Sequence, residues 1–228
     1  MHKDNILAGK GLLSSIQRAF LALFSQVPDN SQFYLTGGTA LSEFYLGHRL
    51  SLDLDFFTGV DGLVLPVSYQ VEALGPKKQL DISTIRRFTS YVEFLVRDEQ
   101  GSLRVDLALD SPFRFEEPST SKYGVLVNNY QDLRVDKLLA YYGRAEPRVA
   151  VDLYFIMQAE PIELLMKQAA QKDPGFDLYW FSVALNRSAS FPDDVERWPV
   201  KMLVPFEPSK LKSDFNRLAL QIIESLEK

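Results

Sequence analysis

The run Thr36-Gly37-Gly38-Thr39-Ala40-Leu41, followed after a turn by His48-Arg49-Leu50-Ser51-Leu52-Asp53-Leu54-Asp55-Phe56-Phe57, decides how the chain reads. In an extended strand, side chains two residues apart share a face, so Asp53 and Asp55 are expected to project together. Leu52, Leu54 and Phe56 then point the other way, into a core. Two adjacent carboxylates repel each other unless a cation lies between them, and an oxygen-only ligand set suits magnesium. The double glycine follows a short apolar strand, Phe33 to Leu35, and precedes an apolar helix spanning Ala40 to Leu46. A backbone without Cβ atoms approaches phosphate closely, with the first amides of the helix aimed at it. Thr39 is placed to donate a hydroxyl to a phosphate, to cap that helix, or both. Arg49 pairs with a triphosphate oxygen or with a local carboxylate. His48 reads as a turn residue and Ser51 as the entry to the strand.

Composition narrows the chemistry. The chain has 228 residues, 46% of them apolar, enough for one large domain or two small ones with a real core. Its net charge of −5 argues against an indiscriminate nucleic-acid binder, while leaving room for RNA held by a local patch. Cysteine is absent, which excludes a disulfide framework and thiolate zinc. With only His2 and His48, the sequence argues against a histidine metal centre or a relay built on several imidazoles as well. The sequence shows neither a signal-peptide pattern nor an apolar run of membrane-spanning length, so a cytoplasmic protein without a membrane partner is expected.

Working outward, Leu12, Leu13, Ile16, Phe20, Leu23 and Phe24 recur at helical spacing and predict an amphipathic helix ending near Pro28. A helix is expected over 64–74. From Gln79 to Leu109 the alternation predicts an antiparallel meander, with turn chemistry at Asp98-Glu99-Gln100-Gly101. Residues 111–130 read as a connector with one short strand. Helices are expected over 131–145, 148–158, 161–171, 176–188 and 209–226, separated by prolines. The reading is therefore an α+β half at 1–130 followed by an α-helical half at 131–228.

Asp106 lies on the polar side of the strand Leu103–Leu109, which is placed to neighbour the Asp53–Asp55 strand. Three carboxylates from two strands would cage two magnesium ions; such ions, ~3.5–4 Å apart, clamp the attacking and leaving oxygens of a phosphoryl displacement. A lone D-x-D on a strand is ordinarily a solvated pair; the glycine bend upstream and Asp106 downstream favour the metal site. On the helix at 131–145, Arg134, Lys137, Tyr141 and Arg144 share one basic face, with Leu133, Leu138, Leu139 and Tyr142 supplying the packing. That face is expected to meet a polyanion, Lys137 with Arg144 or Arg49 neutralising a triphosphate. Arg148 and Asp152 stand i, i+4 and form an ion pair, or Asp152 acts as a base or orients Lys137. Arg86, Arg87, Arg97 and Arg104 offer a basic patch for a nucleic-acid acceptor, against the alternative of ordinary surface arginines. Phe176, Tyr179, Trp180 and Phe181 read as core rather than as a base-stacking platform.

These residues resemble the AbiEii-type nucleotidyltransferase toxin family, of the polymerase-β-like nucleotidyltransferase superfamily. The likeness rests on Gly37-Gly38-Thr39-Ala40-Leu41 with His48 to Phe57. It rests also on Lys137-Leu138-Leu139-Ala140…Arg144…Pro147-Arg148-Val149-Ala150-Val151-Asp152-Leu153, similar to a K-L-x-A…R…R-D-x-x-D-L pattern. The resemblance implies a mixed sheet flanked by helices and then a C-terminal α-helical bundle. It implies that Gly37, Gly38 and Thr39 hold the triphosphate, Asp53 and Asp55 bind magnesium, and Lys137 and Asp152 complete the site. Gly38 stands where many superfamily members carry serine, and Val149 replaces the first acid of the second pattern. The implied activity is transfer of a nucleoside monophosphate from an NTP to an acceptor with release of pyrophosphate. The implied context is a bacterial toxin with a cognate antitoxin and RNA, such as a tRNA end, as acceptor. Transfer to a small molecule, or a nucleotide- or partner-binding module without turnover, are the alternatives.

Overall fold

The computed structural model describes residues 6–227. The chain divides into two compact units, Met1–Tyr130 and Gln131–Lys228. The first contains helix α1 (Ser15–Phe24), whose start is a capping box: Ser14 accepts from the Gln17 amide while the Gln17 side chain accepts from the Ser14 amide. Strand β1 (Tyr34–Thr36) then leads into α2 (Gly37–Ala40), which runs on as a π-helical turn (Leu41–Leu46) and ends at Gly47 in the left-handed region. The helix therefore starts at the glycine pair itself, three residues earlier than the apolar pattern suggests.

Strand β2 (Leu54–Thr58), helix α3 (Val64–Leu74) and strands β3 (Asp81–Arg87), β4 (Tyr91–Asp98) and β5 (Gly101–Leu109) follow. The turn between β4 and β5 is closed by Asp98 Oδ1, which accepts from the amides of Gln100 and Gly101 at 2.7 and 3.0 Å. Short strands β6 (Ser119–Thr120) and β7 (Leu126–Val127) complete a seven-stranded mixed sheet of order β3-β4-β5-β2-β1-β7-β6. The pairs β2/β5 and β1/β7 are parallel and the others antiparallel.

Register explains the two faces. Leu54 faces Val105 and Phe56 faces Leu107, while Phe94 and Val92 continue those rows on β4. All are fully buried, and α1 and α3 pack over them. The Phe56 ring stacks on Phe24 with centroids 4.0 Å apart, and Phe20 and Phe33 extend the cluster. One core expectation fails: Leu52 is 75% exposed. Residues 51–53 lie outside any strand, so no neighbouring strand imposes the alternation there.

The second unit is built from α4 (Tyr130–Arg144), α5 (Pro147–Ala159), α6 (Ile162–Lys172), α7 (Leu178–Asn186) and α8 (Pro208–Leu226). Proline at the first turn starts α5 and α8, where a missing amide costs nothing, and Asp177 caps α7 by accepting from the Trp180 amide at 3.0 Å. Its core includes Tyr141, Leu153, Ile156, Phe181 and Phe215. The aromatic stretch at 176–181 splits: Phe176, before α7, and Phe181 are buried, whereas Tyr179 and Trp180 are exposed. Among the described residues, no helix is long and apolar enough to cross a membrane.

Candidate active site

The polar face of the sheet collects the acids. Asp55 and Asp106 are register partners across β2 and β5, and Glu93 on β4 is the next partner of Asp106. Asp53 lies immediately before β2 rather than within it, yet its charge still bears on both Asp106 and Arg104. Two backbone anchors fix its segment. The Thr39 hydroxyl donates to the Asp53 carbonyl, and Gln17 Nε2 donates to the Ser51 carbonyl at 2.9 Å.

The glycine pair presses against this segment from the other side. Gly37 sits at φ +71°, and a Cβ there would collide with Asp55 Oδ2. A Cβ on Gly38 would lie 2.6 Å from Arg49 Nη2 and 2.8 Å from Ser51 Oγ. Thr36, the residue before the helix, makes no side-chain cap; its hydroxyl instead accepts from Asn128 Nδ2 at 3.1 Å. Thr39 does not cap the helix either, because it lies inside the first turn rather than before it; its hydroxyl donates to the Asp53 carbonyl. Arg49 is buried and donates to the Leu50 carbonyl at 3.0 Å. Gly37, Gly38, Thr39, Arg49, Asp53, Asp55 and Asp106 thus meet in one neighbourhood of the first unit.

Asp106 carries the most distinctive environment. Its Oδ2 accepts from Arg104 Nη2 at 3.1 Å, whereas its Oδ1 is buried with no hydrogen-bond partner among the described residues. Burial raises its carboxyl above the ordinary range; Arg104 and a Tyr91 hydrogen bond oppose this, and Glu93 and Asp53 add to it. Burial, with the charges of Asp106 and Glu93, in turn pushes Tyr91 up to about 12. No group of three or more His, Cys, Asp or Glu side chains is disposed to hold an ion among the described residues. The donor set still fits magnesium in kind: carboxylate oxygens alone, one of them a buried atom lacking the contact that a cation would supply.

Lys137 and Asp152 meet inside the second unit. Lys137 Nζ lies 2.7 Å from Asp152 Oδ2, with side chains 10% and 0% exposed. The expected basic face of α4 is not a face at all. Tyr141 is fully buried with its hydroxyl on the Ala184 carbonyl at 3.1 Å, and Arg134 pairs with Glu160 and Gln168. Arg144 alone of the four is exposed. Helical spacing places residues on a face but does not say whether carboxylates of later helices cover it. Arg148 meets Glu146, 3.7 Å away.

Sequence reasoning passes over Gln17, Tyr91 and Glu93. The alternation within Tyr91–Val96 contains the signal for two of them, since Tyr91 and Glu93 fall on the face opposite Val92, Phe94 and Val96. Gln17 carries only the signature of a cap.

Residues 18–104 match the family described as nucleotidyl transferase AbiEii toxin, type IV toxin–antitoxin system. That segment holds the glycine bend, Asp53, Asp55 and Arg104, ends two residues before Asp106, and excludes Lys137 and Asp152. Among solved structures, the chain is similar to MenT4, a nucleotidyltransferase toxin from Mycobacterium tuberculosis H37Rv. Identity is 18%, covering 91% of this chain and 82% of that one, with a TM-score of 0.63. It is similar also to a Helicobacter pylori protein provisionally described as a nucleotidyltransferase, at 18% identity, 94% and 98% coverage and a TM-score of 0.58. JHP933 from Helicobacter pylori gives 19% identity, 92% and 90% coverage and a TM-score of 0.55. At these identities the structures speak for the fold. No curated protein matches. The mixed sheet with its flanking helices has the fold of these nucleotidyltransferase structures, and residues 18–104 match the model of the AbiEii toxin family.

Proposed function

We propose that the chain is a magnesium-dependent nucleotidyltransferase that moves a nucleoside monophosphate from an NTP to an RNA acceptor, as the toxin of a toxin–antitoxin pair. The observation that carries this reading is the register of Asp55 against Asp106, with Gly37 closed down on the Asp55 carboxylate. Asp55 and Asp106, with Asp53 beside them before the strand, would hold magnesium, which supplies charge neutralisation to the triphosphate; among the described residues the three carboxylates do not form the ready-made cage expected from the sequence. The bend at Gly37 and Gly38 lets backbone approach the phosphates, and Thr39 keeps Asp53 in place through its carbonyl. In the reaction the acceptor hydroxyl oxygen bonds to the α-phosphorus, the bond from that phosphorus to the bridging oxygen breaks, and pyrophosphate leaves with that oxygen. Asp106, whose buried Oδ1 has no hydrogen-bond partner among the described residues, is the carboxylate assigned to receive the acceptor's proton. The family description, which names a type IV toxin–antitoxin system, supports the toxin role and an antitoxin partner.

Asp55→Asn removes a charge at nearly constant volume. It is expected to abolish incorporation of labelled nucleotide into RNA and growth arrest on expression, with an unchanged circular-dichroism spectrum. Transfer at the wild-type rate by this variant would refute the assignment.

A further inference from the structure

The sheet sorts the four arginines. Arg87 turns toward α3, pairing with Glu72 at 2.6 Å and lying 4.2 Å from the centre of the Tyr69 ring. Arg97 meets Asp81, 3.9 Å away. Arg86 and Arg104 stand instead with the acids. In register, Arg86 faces Glu93, Glu93 faces Asp106 and Asp106 faces Asp55, one row across four strands, with Arg104 two residues before Asp106 on the same face. Arg86 reaches this row only because the ladder shifts at Ile85, which has no partner between Thr84 and Arg86. Without that bulge Arg86 would oppose Val92 on the buried apolar face. Bulges re-aim side chains in this way beside functional sites.

One carboxylate anchors both guanidinium groups by the same atom. Arg86 Nε lies 3.4 Å from Glu93 Oε2, and Arg104 Nε lies 3.9 Å from Glu93 Oε1. Glu93 is 13% exposed, whereas the arginines are 65% and 44% exposed. An anchor at Nε does not consume the terminal fork of Arg86, whose geometry matches phosphate oxygens.

We infer that Arg86 and Arg104 form a phosphate-binding track for a single-stranded nucleic-acid acceptor, running from the Asp55–Asp106 pair toward the outer strand of the sheet. The row covers three strand spacings, roughly 15 Å, which is more than one nucleotide fills. The occupant is an oligonucleotide, and its backbone charge complements the terminal fork of Arg86 and the half-exposed guanidinium of Arg104, one nitrogen of which is held by Asp106. This deepens the nucleotidyltransferase reading by naming where its acceptor lies, but the test needs neither NTP nor turnover.

A short fluorescein-labelled single-stranded RNA is titrated with the full chain over a series of KCl concentrations, followed by anisotropy. Arg86→Gln is expected to weaken binding several-fold and to flatten the salt slope by about 0.7, the share of one phosphate contact on a single strand. Arg217→Gln, at a 66% exposed arginine of the second unit, leaves both unchanged. Circular dichroism establishes that each variant is folded. A wild-type slope in Arg86→Gln, equal losses in both variants, or a wild-type chain that binds no RNA overturns the track. Displacement of RNA by polyglutamate as readily as by unlabelled RNA overturns the nucleic-acid assignment in favour of an acidic protein. Should Asp55→Asn prove harmless to transfer while Arg86→Gln still loses RNA, the reaction is wrong and the track stands.

Discussion

Gly37 is where backbone and chemistry constrain each other most closely. Its left-handed φ would cost an alanine about 1–2 kcal/mol, and the added Cβ would drive into the Asp55 carboxylate. Gly37→Ala is therefore expected to lower the melting temperature and to eliminate nucleotide transfer together. Gly38→Ala presses only on the ends of Arg49 and Ser51 and should be milder on both measurements. Equal behaviour of the two variants would show that the bend does not matter at Gly37. Asp106 offers a second test, in pH. Its folded carboxyl is raised, chiefly by burial, so between the ordinary carboxylate pKa and that raised value the native state binds more protons than the unfolded one. Metal-free stability accordingly falls as pH rises through this window. Asp106→Asn lacks that loss, so urea midpoints should show its advantage over wild type growing from acid to neutral pH. A constant difference would mean that the carboxyl is not raised.

At the level of elements, what was legible in the sequence follows from who supplies the partners. Alternation in β2, β4 and β5 holds because each strand is flanked on both sides and one face is sealed by α1 and α3. It fails at Leu52, where no ladder exists. Helix positions along the second half were legible from their apolar periods and prolines. The meaning of the charges on α4 was not, because their partners Asp152, Glu160, Gln168 and Lys172 stand on other helices or beyond a helix end. Gln17 shows the same limit within the site. Its Oε1 closes the cap of α1 while its Nε2 holds the Ser51 carbonyl, and a cap signature betrays only the first. Gln17→Glu separates the two, since glutamate serves a capping box but cannot donate. Because Gln17 is buried, the new carboxylate oxygen lies against the Ser51 carbonyl and should lower thermal stability, while manganese affinity of the folded variant, read by calorimetry without nucleotide, weakens roughly tenfold as outer-shell losses do. Unchanged affinity would release Gln17 from any role beyond the cap.

Across the whole molecule, each unit owns a separate core, around Phe24 and Phe56 in the first and around Tyr141 and Phe215 in the second. The family match lies wholly within the first, so the reading of Lys137 and Asp152 as catalytic has only the second sequence pattern behind it. The structure gives them an independent reason to exist, a 2.7 Å pair almost closed to solvent. Removing one member of such a pair takes a compensating charge from its buried partner, at a cost of up to about 3–5 kcal/mol, whereas exchanging both for apolar groups is often neutral. Lys137→Met is thus expected to lower the urea midpoint sharply, and Lys137→Met with Asp152→Leu to recover most of it. Stability alone cannot distinguish a strut from a participant, but transfer by the recovered double variant can. If the pair takes part in the chemistry, as the second sequence pattern implies, the double variant is stable and inactive. A stable, active double variant would make the pair structural, and would confine the catalytic groups to the unit that holds Asp55 and Asp106.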